Sequence, residues 1–272
     1  MSEQPEKRPA GLVGRVLALP NDSVAKMLVV TIALSLVCSI LVSSAAVLLK
    51  PMQERNVELA RKARILEVAG LMEPDREIAE LFQNVEPRLV ELDTGEFTDR
   101  FDPSDYDQQV AARDPSLSAV VEPWNDIAGI GRRADYAPVY LVKSGEAVEK
   151  VILPVHGYGL WSTMYGFLAL SGDGREVLGL TFYQHAETPG LGGEIENPRW
   201  LEKWVGKKIY GPEGEVKLRV VRGSVGTEQA DWAVDGISGA TLTADGVSHM
   251  IEYWLGEQGF KPFLAKLREE GA

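Results

Sequence analysis

The chain has 272 residues, 45% of them hydrophobic, and a net charge of −12. The first 49 residues carry four basic and three acidic side chains, which leaves 24 basic and 37 acidic side chains for the rest. A segment this acidic is unsuited to nucleic acid, whose phosphates would repel it. A single cysteine, Cys38, excludes an intrachain disulfide and a cysteine-ligated zinc or iron–sulfur centre. We predict no metal site, because the three histidines are isolated: His156, His185 and His249.

An apolar run near the N-terminus predicts one transmembrane helix, residues 27–49, after an N-terminal tail of residues 1–26. The run has 23 positions without a charge, between Lys26 and Lys50. A helix of that length spans about 34 Å, enough for a hydrocarbon core of about 30 Å. A signal peptide has a shorter apolar stretch, although residues 44–46 do resemble a cleavage site. Basic residues flank the helix on both sides, so the positive-inside rule leaves its orientation open.

Residues 50–134 predict a membrane-proximal segment rich in helices and loops. Pro51 can occupy a first helical turn, and apolar residues at near-helical spacing lead to Gly70, so this helix is expected to continue the anchor. From Glu73 to Ala134 the chain is acidic and broken by five prolines. That pattern predicts short helices and loops on the domain surface.

Residues 135–272 predict an α+β domain. Runs rich in Val, Leu, Tyr and Phe are separated by turn residues and predict strands at 137–142, 148–155, 164–170, 177–185 and 216–222. Residues 245–256 have the apolar spacing of a helix. Strands grouped consecutively favour an antiparallel sheet with helices packed against it.

Three glycine-containing segments are candidates for a ligand site. Residues 235–241, Asp-Gly-Ile-Ser-Gly-Ala-Thr, fit either a loop whose N–H groups approach a phosphate or a tight turn with Thr241 or Thr243 as helix cap. Residues 187–193 fit either a surface turn or a loop around a flat ligand. In residues 157–162, the indole of Trp161 belongs either to the core or beside an aromatic cofactor.

The sequence contains none of the common catalytic signatures. It has no GxSxG elbow, no P-loop and no GxGxxG after a strand. We therefore assign no catalytic residue, and a carrier of a cofactor fits these segments better than a hydrolase or a transferase.

Residues 235–241 resemble the recognition signature of bacterial flavin transferases, which join FMN through its phosphate to the hydroxyl of the last Thr. Further matching segments make the chain resemble, from Asn21 onward, the C-subunit family of bacterial sodium-translocating NADH:quinone oxidoreductases. They are residues 21–23, 31–40, 63–70, 156–170 and 187–193. Residues 73–134 match least well.

This resemblance implies an FMN-binding domain and a set of site residues. Thr241 would hold FMN covalently, and the transferase would read four residues before it: Asp235, Ser238, Gly239 and Ala240. Thr188 and Leu191 match loop positions beside the flavin in that family. Three further residues would lie near the flavin: Leu160, Trp161 and Ser162.

The resemblance also implies a location, partners and a reaction. The tail would be cytoplasmic and the domain periplasmic, in the bacterial inner membrane. The protein would pass electrons from an iron centre in the membrane to a second flavin, within an NADH:ubiquinone reductase that exports sodium. The expected partners are membrane subunits of that complex, including iron–sulfur subunits and a second FMN-bearing subunit, and a flavin transferase during maturation. Two alternatives are the equivalent flavin subunit of the related ferredoxin-linked ion-translocating complex and a membrane scaffold or assembly subunit.

Overall fold

The computed structural model describes Gly11, Gly14 and residues 18–270, without the side chain of Glu270. The predicted N-terminal tail therefore lies largely outside the described residues. The chain divides into two compact units, Met1–Glu58 and Leu59–Ala272.

The first long helix, α1 (Val24–Val68), carries the apolar run. The hydroxyl of Ser23 accepts a 3.3 Å hydrogen bond from the amide of Lys26 at its start. Pro51 lies inside the helix without ending it, so the expected continuation of the anchor beyond this proline is confirmed. Among the described residues, α1 is the one helix long and apolar enough to cross a membrane by length and composition.

The second unit is built around ten β-strands among the described residues. They are β1 (Val85–Glu91), β2 (Glu96–Thr98), β3 (Ser118–Val120), β4 (Arg132–Ala134), β5 (Tyr136–Ser144), β6 (Ala147–Tyr158), β7 (Thr163–Ser171), β8 (Val177–Gln184), β9 (Arg219–Val221) and β10 (Ala233–Asp235). Six of them form a central antiparallel sheet in the order β2-β1-β5-β6-β7-β8. The others form two small sheets, antiparallel β3-β4 and parallel β9-β10. The predicted α+β fold with an antiparallel sheet is confirmed.

The helices after α1 pack around this sheet. They are α2 (Ile78–Leu81), α3 (Gln108–Ala111), α4 (Pro198–Leu201), α5 (Thr241–Trp254) and α6 (Lys261–Glu270). Helix α5 begins four residues earlier than the predicted residue 245, at Thr241. This earlier start places Thr241, the last residue of the glycine-rich loop of residues 235–241, in the first turn of the helix.

The two faces of the sheet bury different partners because side chains alternate along each strand. On one face, Leu153 of β6 belongs to a core that includes Val247 and Ile251 of α5. On the other face, its neighbour Ile152 belongs to a core with Ile65 and Leu66 of α1. Helix α5 is thereby fixed against β6, and this packing sets the position of the glycine-rich loop before α5.

Residues 73–134 differ from the expectation of short helices and loops, because they also contribute four strands. Strand β1 lies inside the main sheet, and Leu89 and Val90 are fully buried. Pro87 concealed this strand in the sequence. It is tolerated because β2 pairs only from Leu89 onward, so β1 has a neighbour on one side alone at Pro87.

The strand predicted over residues 216–222 is shorter than expected and does not belong to the main sheet. Strand β9 covers Arg219–Val221 and pairs in parallel with β10, outside the six-stranded sheet. No sequence pattern predicts β10. This small parallel pair ends at Asp235, where the glycine-rich loop begins.

Candidate functional site

A sharp loop joins β10 to α5. The amide of Gly236 donates a 2.9 Å hydrogen bond to the carbonyl of Gly223, and a Cβ at Gly236 would lie 2.5 Å from the carbonyl oxygen of Val221. Gly239 has φ +75°, a conformation that favours glycine. Both glycines are therefore required by the backbone, and the loop delivers Thr241, with an exposed side chain, to the start of α5.

The N-terminus of α5 is suited to an anion. Its N-cap residue, Ala240, provides no side-chain hydrogen bond, and the first turn contains no acidic residue. The first N–H groups of a helix lack intrahelical partners and lie at the positive end of the helix dipole. A negatively charged group attached to Thr241 would be stabilised there.

Asp235 is engaged by residues outside the glycine-rich loop. Its carboxylate accepts hydrogen bonds of 2.7 Å from Nζ of Lys203 and 2.7 Å from the amide of Val225. These two bonds, the one from Lys203 foremost, lower the pKa of Asp235. Its carbonyl accepts a 2.9 Å hydrogen bond from the indole of Trp200. Asp235 therefore fixes the entry to the loop.

Glu187, in the second of the three segments that the sequence singled out, joins the 157–162 segment to the first turn of α5. Its carboxylate is buried, with 5% of the residue exposed. Oε1 accepts hydrogen bonds from the amides of Leu160 (3.1 Å), Trp161 (2.9 Å) and Ser162 (3.3 Å). Oε2 accepts a 2.6 Å hydrogen bond from the hydroxyl of Thr243 in α5. One side chain thus connects the turn after β6, the loop after β8 and the first turn of α5.

The loop after β8 also contacts the glycine-rich loop directly. The carbonyl of Thr188 accepts hydrogen bonds from the amides of Leu191 (3.1 Å) and Gly193 (2.9 Å), which close the loop on itself. Cδ2 of Leu191 lies 3.0 Å from where a Cβ at Gly239 would stand. The absence of a side chain at Gly239 therefore lets Leu191 lie against the loop that carries Thr241.

Exposed apolar side chains surround this junction. Trp161 is 65% exposed, and Leu160 and Leu191 are also exposed. Ser162 is held in place, since its hydroxyl accepts a 2.7 Å hydrogen bond from the amide of Ala186. Large apolar side chains grouped on a surface mark a place for a ligand or a partner, and Trp161 lies on this surface and not in the core.

Two cavities lie towards the other end of the sheet. One of about 820 Å³ is lined by Ser171 at the end of β7, together with Arg175 and Lys208. The candidate residues, in contrast, gather beyond the start of β7 and the end of β6. They form an open surface.

Comparison with known proteins shows the family of the chain. Residues 159–256 match the model of the FMN-binding domain. Over 254 residues the chain is 49% identical to the C subunit of the Na(+)-translocating NADH-quinone reductase of Vibrio alginolyticus, covering 93% of this chain and 98% of that protein. The chain belongs to the family of these reductase C subunits, called NqrC. The Pseudomonas aeruginosa member is 46% identical over 255 residues, with 92% and 98% covered.

Solved structures of NqrC proteins agree with this assignment. The crystal structure of NqrC from Shewanella oneidensis matches with a TM-score of 0.73 at 33% identity, covering 79% of this chain and 99% of that chain. The equivalent protein of Parabacteroides distasonis matches with a TM-score of 0.62 at 28% identity, over 79% and 96%. The resemblance seen in the sequence is confirmed, and these relatives favour the quinone reductase over the ferredoxin-linked complex.

All candidate residues of this NqrC family member lie within the matched FMN-binding domain, from Leu160 to Thr241. They also fit FMN chemically. FMN combines a flat, largely apolar ring with an anionic phosphate. The exposed side chains of Trp161 and Leu191 offer apolar surface, and the uncapped N-terminus of α5 beside Thr241 suits a phosphate.

Sequence reasoning missed Glu187, whose hydrogen bonds join the 160–162 turn to α5. The sequence marks Glu187 only as the first residue of a loop, and Thr243 only as a possible cap. No local signal marked it, since an acidic residue in a glycine- and proline-containing loop is ordinary for a protein surface. Its partners could not be read from spacing, because they lie on the turn before β7 and on α5.

Proposed function

We propose that this chain is the FMN-carrying electron-transfer subunit of a sodium-translocating NADH:ubiquinone reductase, with FMN joined by a phosphoester bond to Thr241. It relays electrons between redox centres of neighbouring subunits, and the complex uses that transfer to export sodium. The observation that carries the proposal is the exposed Thr241 side chain at the start of an uncapped helix.

The residues of this chain have separate tasks in the proposal. Bound FMN supplies the redox chemistry, and the protein holds and orients it. Thr241 anchors the phosphate, and the free N–H groups at the start of α5 stabilise its charge. Leu160, Trp161 and Leu191 provide apolar surface for the ring, while Thr188 and Ser162 shape the loops that carry those side chains.

Asp235, Ser238, Gly239 and Ala240 are proposed as the residues that the flavin transferase reads. Ser238 and Gly239 are exposed, and Asp235 keeps part of its side chain accessible while it pairs with Lys203. A transferase could therefore approach this loop in the folded domain.

Peptide mass spectrometry after co-expression with a flavin transferase tests the attachment. We expect the FMN mass on the peptide containing Thr241 and its loss in Thr241→Val, which keeps the β-branched shape and removes the hydroxyl. Thr241→Ser should retain partial loading because it keeps an alcohol. FMN found on Thr243, or still present in Thr241→Val, would show that the assignment is wrong.

Membership in this family and the apolar helix α1 make the chain membrane-associated. We propose further that the tail is cytoplasmic, that residues after Lys50 are periplasmic and that the membrane is the bacterial inner membrane. A reporter that is active only outside the cytoplasm, fused after Ala272, should be active. An inactive reporter there, together with activity of a cytoplasmic reporter at the same position, would show the opposite orientation.

As a member of the NqrC family, the chain assembles with other subunits of the reductase. Iron–sulfur subunits and a second FMN-bearing subunit are the neighbours that we propose for electron exchange. Purification of the complex through a tag on this chain, followed by mass spectrometry of its components, tests this. Recovery of the tagged chain with none of them would contradict it.

A further inference from the structure

Glu187 occupies an unusual place for a charged side chain. It is 5% exposed, and all four of its hydrogen bonds through the carboxylate come from residues far from it in the chain. A carboxylate buried in this way is costly unless donors surround it. Here three amides and one hydroxyl provide those donors, so the surrounding loops are built to receive the charge.

Two glycines form the walls of the space around this carboxylate. A Cβ at Gly159 would lie 2.6 Å from Oε1 of Glu187, and a Cβ at Gly192 would lie 2.7 Å from Oε2. The Cβ at Gly192 would also lie 2.6 Å from the hydroxyl of Thr243. Real Cβ atoms do not come so close, so both positions leave room for the carboxylate only because they are glycines.

The hydrogen bonds of Glu187 fix the backbone of the exposed apolar turn. Its three amide donors belong to Leu160, Trp161 and Ser162, two of which present exposed apolar side chains. An ionised carboxylate accepts hydrogen bonds that are shorter and about twice as strong as neutral ones. Because the other oxygen is bound to Thr243 in α5, the turn is held at a set position relative to the helix that begins at Thr241.

We propose that Glu187 is the positioning residue of the flavin site: its buried carboxylate holds the 160–162 turn and the first turn of α5 in place before the cofactor is attached. This inference rests on the function proposed above. Glu187 acts through the backbone of the turn and through Thr243, so its effect on the flavin is indirect.

Amide hydrogen exchange on the full chain in detergent, without flavin, tests the first half of the inference. In Glu187→Ala we expect exchange in the peptide covering residues 158–163 to rise about tenfold or more, because three amides lose their acceptor. Exchange in the central strand β7, around Phe167 and Leu168, should stay within about twofold of wild type. Unchanged exchange at residues 158–163 would overturn the proposal.

Matched variants separate positioning from general stability. Glu194→Ala removes a nearby carboxylate that accepts a 2.6 Å hydrogen bond from the side-chain amide of Asn197, and it should leave the 158–163 peptide unchanged. Glu187→Gln keeps the shape and one acceptor oxygen, and it should restore part of the protection. If Glu187→Ala loses protection throughout the sheet, the milder Glu187→Asp variant replaces it in the test. Its shorter carboxylate cannot reach both the 160–162 amides and Thr243, so exchange should rise at residues 158–163 alone. No rise there would refute the proposal.

The second half is tested by the flavin's own signal. After loading, the FMN mass should remain on Thr241 in Glu187→Ala, while the visible circular dichroism of the flavin weakens and its fluorescence anisotropy falls. Glu187→Gln should recover both signals in part. Wild-type signals in a loaded Glu187→Ala chain would refute positioning of the flavin. Absence of FMN from wild-type Thr241 would refute the proposed function instead, and the exchange result would still judge Glu187.

Discussion

The hydroxyl of Thr243 donates a 2.6 Å hydrogen bond to Oε2 of Glu187, and both side chains are buried. Two residues earlier, the side chain of Thr241 is exposed. Residues two apart lie on different sides of a helix. The two threonines therefore have different environments, since the hydroxyl of Thr243 is hydrogen-bonded in the interior and the side chain of Thr241 is exposed to solvent.

We predict that Thr243→Val destabilises the domain by about 1–3 kcal/mol, because the buried carboxylate of Glu187 loses a donor. Thr241→Val, a matched change at an exposed position, should alter the free energy of unfolding by no more than about 0.5 kcal/mol. Urea unfolding followed by tryptophan fluorescence measures both, since Trp204 and Trp254 are buried. Equal effects of the two substitutions would contradict the assignment of Thr243 to the interior.

A second prediction concerns the ion pair between Lys203 and Asp235. We expect Asp235→Ala to lower flavin loading of Thr241, because the transferase loses a recognition residue and the loop loses its anchor. Lys203→Met should lower loading less, because it removes only the 2.7 Å contact to the carboxylate. Flavin fluorescence of the denatured chain, normalised to protein, measures loading. An equal or larger loss in Lys203→Met would contradict a role of the Asp235 carboxylate beyond its contact with Lys203.

A third prediction concerns pH. His156 stacks on Tyr165 at 5.3 Å and lies 4.7 Å from the ring of Trp254. Burial lowers the pKa of His156 to about 4, against about 6.5 in an unfolded chain. Between these values the unfolded state binds more protons, so the free energy of unfolding should fall as pH drops from about 6.5 towards 4, by roughly 2–3 kcal/mol.

The pH effect is measured as the difference between two chains, since carboxylates titrate in the same range. His156→Phe keeps an aromatic ring without a proton site, and its stability should depend less on pH than that of wild type. His249→Gln, at an exposed position, serves as the control and should follow wild type. Parallel curves for wild type and His156→Phe would rule out a titrating His156.

A fourth prediction concerns truncation. A chain lacking residues 1–49 should be soluble and monomeric, because the long apolar run is gone and the rest is strongly charged. A chain lacking residues 1–68 should aggregate or unfold, since it also loses Ile65 and Leu66, which are 1% and 0% exposed. Loss of such a side chain costs about 2–5 kcal/mol. Size-exclusion chromatography and thermal unfolding compare the two, and equal behaviour would contradict the packing of these residues.

Strands β5 to β8 could be predicted because each pairs with its neighbour in the chain and is bounded by turn residues. Strand β1 could not be predicted, because Pro87 and the acidic residues around it are typical of a loop. Its pairing with β5 is also long-range, and single-sequence patterns carry no information about such partners.

The candidate site divides in the same way. The loops that carry Thr241, Leu191 and Trp161 stood out because glycine, proline and aromatic residues mark turns and loops locally, and the family resemblance supplied the individual residues. Glu187 did not, because its importance comes from donors on two other segments. A local pattern can therefore indicate which loops matter, but the side chain that holds them together becomes visible only in the folded chain.

The core between α1 and the sheet has a consequence for the order of folding. Ile65 and Leu66 leave the ribosome early, but their partners Ile152 and Phe167 are synthesised much later. A Cβ at Gly179 would lie 3.0 Å from the carbonyl of Val68, so β8 too must arrive before this contact closes. During synthesis the apolar face of α1 around Ile65 and Leu66 therefore stays uncovered until strands β6 to β8 have been made. Such transiently exposed apolar surface is prone to aggregation.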